Sequence, residues 1–297
     1  MKKILIFFVL LWLPFSYAFS QTFKVDKSKL IYKKIGTNNL EMDVYRPEVP
    51  NQTISLPALV LFFGGGWVGG DPSHFELQAN YFASRGMVVF CPDYRTKSKF
   101  GTTPFESVKD AKSAIRYLKQ HGEELGIDTS RIVAGGGSAG GHLAACTAII
   151  DNYNESTDDL SFSAVPMLLL LFNPVVDTGK RGYGQEKFDG REFELSPVHH
   201  IAAEVPTTLI MHGKSDTTVP YENVVRFKQV MKQNGNKCIL VGYKHQKHGF
   251  FNYSSSPKYF KKTLKKSESF LEDNGLLRGE SWIRKYYKDL RSKTKNH

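Results

Sequence analysis

The stretch Gly136-Gly137-Ser138-Ala139-Gly140 constrains this chain more than any other. The strand-like run Arg131-Ile132-Val133-Ala134 precedes it, and the small-residue run Leu143-Ala144-Ala145-Cys146 follows it. The segment therefore reads strand, tight turn, helix, with Ser138 at the turn. A strand that passes directly into a helix brings the two backbones almost into collision. Only residues without a side chain fit two positions before and after the turn, and Gly136 and Gly140 stand there. The serine takes strained backbone angles and is lifted clear of the turn. It faces the N-terminus of the helix, whose unpaired N–H groups favour a developing negative charge. Glycine-rich turns containing serine are common, so the motif gains meaning only from what other strand ends bring to it.

The rest of the chain alternates strands with helices. Ala58-Leu59-Val60-Leu61-Phe62-Phe63, Met87-Val88-Val89-Phe90-Cys91, residues 165–176, Thr207-Thr208-Leu209-Ile210-Met211 and Cys238-Ile239-Leu240-Val241 are apolar runs suited to strands buried on both faces. Between them, helices are predicted over about 74–85, 106–121, 221–234 and 257–274. The second carries Val108, Ala111, Ala114, Ile115 and Leu118 on one face. Strand-like runs at 30–35 and 40–45 flank Gly36-Thr37-Asn38-Asn39 and predict an antiparallel hairpin. Residues 97–104 read as a loop. The pattern predicts an α/β fold, a largely parallel sheet with helices on both faces. Residues 178–205, rich in glycine and charge, predict a short cap insertion. Residues 276–297 are basic, with Trp282, Ile283, Tyr286, Tyr287 and Leu290 at helical spacing, and predict a terminal helix packed on a domain spanning 21–275.

Residues 1–20 have the pattern of a signal peptide: Lys2 and Lys3, an apolar run from Ile4 to Phe15, then the small residues Ala18 and Ser20 before a cut. A secreted or periplasmic protein is expected. The run is too short to span a membrane comfortably, and no cysteine lies near the cut to carry a lipid, so no stable membrane anchor is expected. The charge of +11 comes from 40 Lys and Arg against 29 Asp and Glu. These cations are not gathered with stacking aromatics, which argues against nucleic acid as a partner. The three cysteines, Cys91, Cys146 and Cys238, are odd in number and lie in apolar runs, so they read as small buried hydrophobes. Adjacent His199 and His200 point opposite ways in an extended chain, and no metal site is expected.

Ser138, Asp216 and His248 fall after three predicted strands. Carboxyl ends of parallel strands share one edge of a sheet. A serine is a poor nucleophile until a base takes its proton, which a histidine does near neutral pH. A carboxylate holds that imidazole in the required tautomer. Gly64-Gly65-Gly66 directly after a buried strand lets the backbone approach a ligand, so N–H groups of Gly65, Gly66 and Ala139 are the expected oxyanion donors. His248 is preferred to His245 because glycine and two aromatics follow it. Asp177 lies one strand too early, and Asp93 is expected to pair with Arg95. Trp67 and His142 are expected substrate contacts, with capping or packing the other role open to His142.

Phe63-Gly64-Gly65-Gly66-Trp67, Asp93-Tyr94-Arg95, Gly136-Gly137-Ser138-Ala139-Gly140-Gly141-His142, Gly213-Lys214-Ser215-Asp216-Thr217-Thr218-Val219-Pro220 and His248-Gly249-Phe250-Phe251 together resemble the α/β-hydrolase esterase/lipase superfamily. Within it the chain resembles the hormone-sensitive-lipase-like and acetyl-xylan/feruloyl esterase group, over about residues 30–275. The resemblance implies a cofactor-free serine carboxylesterase with a Ser138–His248–Asp216 triad. Phe63 stands where the family's loop usually has histidine. Cholinesterase-type loops also carry an aromatic there, and the backbone donors are unaffected. The expected substrate is an acetyl or feruloyl ester on plant or algal polysaccharide. The alternatives are a general short-chain esterase or lipase and, in a different class, an inert binding protein on a hydrolase fold.

Overall fold

Apolar runs with no polar alternation have to be covered on both faces, and the sheet satisfies this with its parallel strands at the centre. The structure is a computed structural model describing residues 22–49, 54–277 and 280–293. The expected signal peptide lies outside the described residues. The strands are β1 (Val25–Ile35), β2 (Asn38–Pro47), β3 (Leu56–Phe62), β4 (Val88–Pro92), β5 (Ile127–Gly137), β6 (Leu168–Phe172), β7 (Thr207–Gly213) and β8 (Cys238–Tyr243). Their order across the sheet is β1-β2-β4-β3-β5-β6-β7-β8. β1 pairs antiparallel with β2, and β2 with β4; every later pairing is parallel.

The helices are α1 (Glu76–Ser84), α2 (Lys97–Phe100), α3 (Pro104–Gln120), α4 (Ala139–Ile149), α5 (Tyr221–Gln233), α6 (Pro257–Asp273) and α7 (Ile283–Lys293). Val60, Phe62, Leu169, Leu171 and Ile210 pack in one core layer with Val108, Leu143 and Phe227 of α3, α4 and α5. Leu59, Leu61, Leu170, Leu209 and Met211 point the other way and join Phe82, Phe260, Leu264 and Phe270 of α1 and α6. The terminal helix packs on this second layer: Ile283 is buried, and Trp282 and Tyr286 lie against Tyr81 of α1. Among the described residues no helix is long and apolar enough to cross a membrane.

Several boundaries differ from the sequence expectations for local reasons. α3 begins at Pro104, because Thr103 and Glu106 form a reciprocal capping box. The expected loop at 97–104 contains the single turn α2, closed by Gly101 at φ +67°. β5 runs on to Gly137, since β3 and β6 both pair with its glycine end. The apolar run 165–176 yields only a five-residue β6. Pro166 lacks the N–H for a ladder, and Asn173 leaves the strand at φ +34°. Val175 and Val176 still fill the core, from outside the sheet. Residues 178–205 hold short 3-10 turns at Gln185–Lys187, Glu192–Leu195 and Pro197–His199.

The expected pair of Asp93 with Arg95 does not form. Asp93 takes Lys99 at 2.9 Å, while Arg95 turns inward to Asp110 at 2.7 Å and Glu155 at 2.6 Å. The physical reason is Asp110, which sits on α3 with its side chain fully buried and requires cations. Lys33 of β1 supplies a second one, 2.7 Å from Asp110 and 2.9 Å from Glu155. Burial opposes ionisation of Glu155, but Lys33 and Arg95 outweigh it and draw its carboxyl down to about 2.

Candidate active site

Ser138 sits between β5 and α4 at φ 55° and ψ −118°, the strained geometry expected of the turn. A Cβ on Gly140 would lie 2.1 Å from the Phe62 carbonyl oxygen, and one on Gly136 would lie 2.5 Å from Gly140 itself. Glycine is therefore demanded at both positions by the near-collision of strand and helix. Ser138 Oγ is 2.9 Å from His248 Nε2, and His248 Nδ1 is 2.7 Å from Asp216 Oδ2. A carboxylate only accepts, so Nδ1 carries the proton and Nε2 presents a lone pair to the serine hydroxyl.

Asp216 is anchored from several directions. Its Oδ1 accepts from the N–H groups of Thr218 and Val219, each at 2.9 Å. Its Oδ2 also lies 3.2 Å from Nε2 of His212, which donates to the Val219 carbonyl. Burial works against the charge, but His212, His248 and the Val219 N–H together hold the carboxyl well below the usual carboxylate range. Asp216 thus remains an anion oriented at the imidazole.

Gly65 and Gly66 line a pocket of about 250 Å³ together with Ser138 and His248, with His74, Asn173, Tyr183 and Thr218 completing much of the wall. Gly65 has φ +140°, and a Cβ there would lie 2.0 Å from the Gly69 carbonyl oxygen. Ala139 opens α4 immediately after the serine. Phe63 stacks on Tyr94 at 4.1 Å, beneath the loop and away from the pocket. The rival residues are elsewhere: His245 is solvent-exposed, and Asp177 pairs with Arg226 at 3.0 Å.

Trp67 and His142, expected to touch substrate, do not line this pocket. Trp67 is 2% exposed and His142 fully buried. Their rings meet edge to face at 5.0 Å, and Phe188 closes over Trp67. His142 Nε2 donates to the Leu195 carbonyl at 2.7 Å, and burial pushes its pKa down to about 4. Residues 183–195 cover both side chains, which makes them packing residues. The residue of that segment that reaches the pocket is Tyr183.

Sequence reasoning misses Asn173, His74, Asn252 and His212. Asn173 stands at the carboxyl end of β6, next to the elbow strand. Its Oδ1 accepts from Gly249 N–H at 3.1 Å, and its amide nitrogen is 3.5 Å from His248 Nε2. A polar residue before a proline at the end of a buried strand is the available signal. His212 is the penultimate residue of β7 and carries no local signal beyond that of a strand.

The BD-FAE family model matches residues 42–177, and that of the dienelactone hydrolase family matches residues 182–272. The apo form of Thermogutta terrifontis esterase 2 superposes with a TM-score of 0.80 at 39% identity, covering 88% of this chain and 98% of that one. Its tabun-phosphoramylated form gives 0.82 at 40% identity, covering 86% and 97%. A probable isoprenylcysteine α-carbonyl methylesterase of Arabidopsis thaliana is 29% identical over 246 residues, 75% of this chain and 50% of that protein. A probable carboxylic ester hydrolase of Mycobacterium tuberculosis is 29% identical over 233 residues, 70% of this chain and 52% of that protein. The chain spans about half the length of these two curated relatives. An eight-stranded, mostly parallel sheet and a solved relative matched over nearly its whole length define the class: the chain belongs to the α/β-hydrolase carboxylesterases. Among solved structures it is similar to esterase 2 of Thermogutta terrifontis.

Proposed function

We propose that the protein is a serine carboxylesterase that removes a short acyl group, acetyl foremost, from a polysaccharide or oligosaccharide. The observation that carries the reading is the hydrogen-bonded chain from Ser138 through His248 to Asp216, facing a glycine loop. Ser138 Oγ attacks the ester carbonyl as His248 Nε2 takes its proton, and Asp216 steadies the imidazolium. N–H groups of Gly65, Gly66 and Ala139 receive the oxyanion. The imidazolium then protonates the departing alcohol. A water deprotonated by His248 finally cleaves the acyl-enzyme.

The size of the pocket, about 250 Å³, supports a small acyl group. Structures of the Thermogutta esterase with propionate and with butyrate are in keeping with this. Feruloyl is the larger candidate. On the alcohol side, an open groove of about 1030 Å³ shares His74 and Asn252 with the pocket and continues past Leu77, Tyr253, Lys258 and Tyr287. Tyrosines there offer apolar faces and hydroxyls to a polyhydroxylated chain, which supports a glycan as the alcohol. The basic apolar leader, residues 1–20, supports export to where such glycans occur.

The test compares p-nitrophenyl acetate, butyrate and octanoate with acetylated xylan and methyl ferulate, using wild type and Ser138→Ala. Serine-dependent release of acetate from xylan is the expected result. Activity confined to the synthetic esters refutes the glycan and retains the mechanism. The absence of any Ser138-dependent hydrolysis, together with no labelling by paraoxon, refutes the esterase.

A further inference from the structure

Phe63 occupies the place where the resembled loop carries histidine, yet the glycine loop does not lack an imidazole. His74, ten residues beyond Gly64, sits on a 3-10 turn (Pro72–Phe75) capped by the Asp71 carboxylate, which accepts from Ser73 N–H. The Gly64 N–H donates to His74 Nδ1 at 2.9 Å. Nδ1 is thus unprotonated, so the proton is on Nε2, 2.9 Å from the Asn252 side-chain oxygen. Asn252 follows closely on His248, and its own N–H closes that loop onto the Gly249 carbonyl at 3.0 Å. The imidazole packs against the rings of Phe75 and Phe251, at 4.8 and 5.6 Å, and those two rings stack on each other at 5.6 Å.

From this geometry we infer that neutral His74 is a positioning residue that braces the glycine loop against the His248 loop, keeping the oxyanion donors in register with the base. The inference rests on the esterase reading. The brace has a direction built into it. Gly64 N–H is committed to Nδ1, so the loop offers its next N–H groups, those of Gly65 and Gly66, to the pocket. An imidazolium has N–H on both sides and would set donor against donor at Gly64. Burial lowers the pKa of His74, Asn252 and Asp71 raise it, and His248 lowers it further. The connection is also short: one ring spans from a residue directly before the oxyanion donors to the loop that carries the general base. Misplacing reacting groups by about 1 Å costs on the order of 10² in rate.

The experiment is steady-state hydrolysis of p-nitrophenyl acetate by wild type and by His74→Phe, His74→Asn and Asn252→Leu, with thermal melts of each. His74→Phe keeps the ring and loses both hydrogen bonds; kcat is expected to fall about 10²-fold, with KM moving less than about threefold. His74→Asn places an oxygen near the former Nδ1 and is expected to recover at least about tenfold of that loss, because it again accepts from Gly64. Asn252→Leu leaves the Gly64 bond and is expected to fall less than His74→Phe. If His74→Phe does not fold, Asn252→Leu decides. Asn252→Leu, which breaks the brace at its other end, overturns the inference if its kcat stays within about twofold of wild type. So does a folded His74→Phe within about twofold of wild type, or a His74→Asn no better than it. Loss of all Ser138-dependent hydrolysis in wild type itself would instead sink the esterase reading.

Discussion

Replacing Asp216 with asparagine tests the hydrogen-bonded chain at its least exposed link. The oxygen of the new amide is held in place, because Thr218 and Val219 N–H both require the acceptor that Oδ1 supplies at 2.9 Å. The amide NH₂ must then take the Oδ2 position, 2.7 Å from His248 Nδ1 and 3.2 Å from His212 Nε2. An NH₂ facing Nδ1 forces that nitrogen to accept, so Nε2 carries the proton and points it at Ser138. The base is thereby switched into the tautomer that cannot receive the serine proton, although its geometry is preserved. The equivalent tautomer error in a serine protease costs about 10⁴ in kcat, which is about 5.4 kcal/mol of barrier. The assay is kcat of Asp216→Asn for p-nitrophenyl acetate at about pH 7–8, with circular dichroism to show that the fold is kept. Because the amide also sets donor against donor at His212, a melting point a few degrees lower is expected as well. A kcat within about tenfold of wild type refutes the tautomer argument, which assigns to the Asp216 carboxylate the whole task of holding His248 in the productive form.

Ser138→Ala should lower kcat by about 10⁶ while leaving thermal unfolding unchanged, and paraoxon should label the wild type alone by intact mass. Gly140→Ala drives a Cβ to within 2.1 and 2.3 Å of the Phe62 and Phe63 carbonyl oxygens. It should cost about 1–3 kcal/mol in urea unfolding and reduce activity, and an unchanged midpoint would contradict the packing argument. Asp110→Ala leaves Arg95 and Lys33 facing an empty buried site and should destabilise by about 3–5 kcal/mol, read from the same unfolding curves. Glu155 has its folded pKa lowered to about 2, so the stability it contributes is full above its ordinary value of 4.5 and is lost as pH falls from there towards 2. Glu155→Gln should flatten the pH dependence of the melting temperature over that window.

The order of strands and helices was legible because it depends on local signals: apolar runs, capping residues and glycine turns. Ser138, Asp216 and His248 were legible for the same reason, each following a strand that the sequence marks clearly. What escaped was whatever depends on distant partners. His74 and Asn252 are 178 residues apart, and neither has a local pattern that distinguishes it from an ordinary turn residue. Arg95 turns away from its neighbour Asp93 because Asp110 is fully buried on α3, and no signal around Arg95 announces that burial. Trp67 and His142 stand beside the glycine-loop and serine-turn motifs in the chain, but Phe188 and Leu195, from a segment with little periodicity, close over them.

The outermost strand carries a further consequence. β1 ends the sheet, and an uncovered strand edge is a template on which another chain can polymerise. Here Lys27, Lys29 and Lys34 stand exposed along it, and the register slips between Ile31 and Lys33. Lys33 turns inward to Asp110. A foreign strand docking here would meet exposed lysines and an irregular ladder instead of a flat, regular edge. The strand that ends the antiparallel side of the sheet is thus a poor template for further pairing.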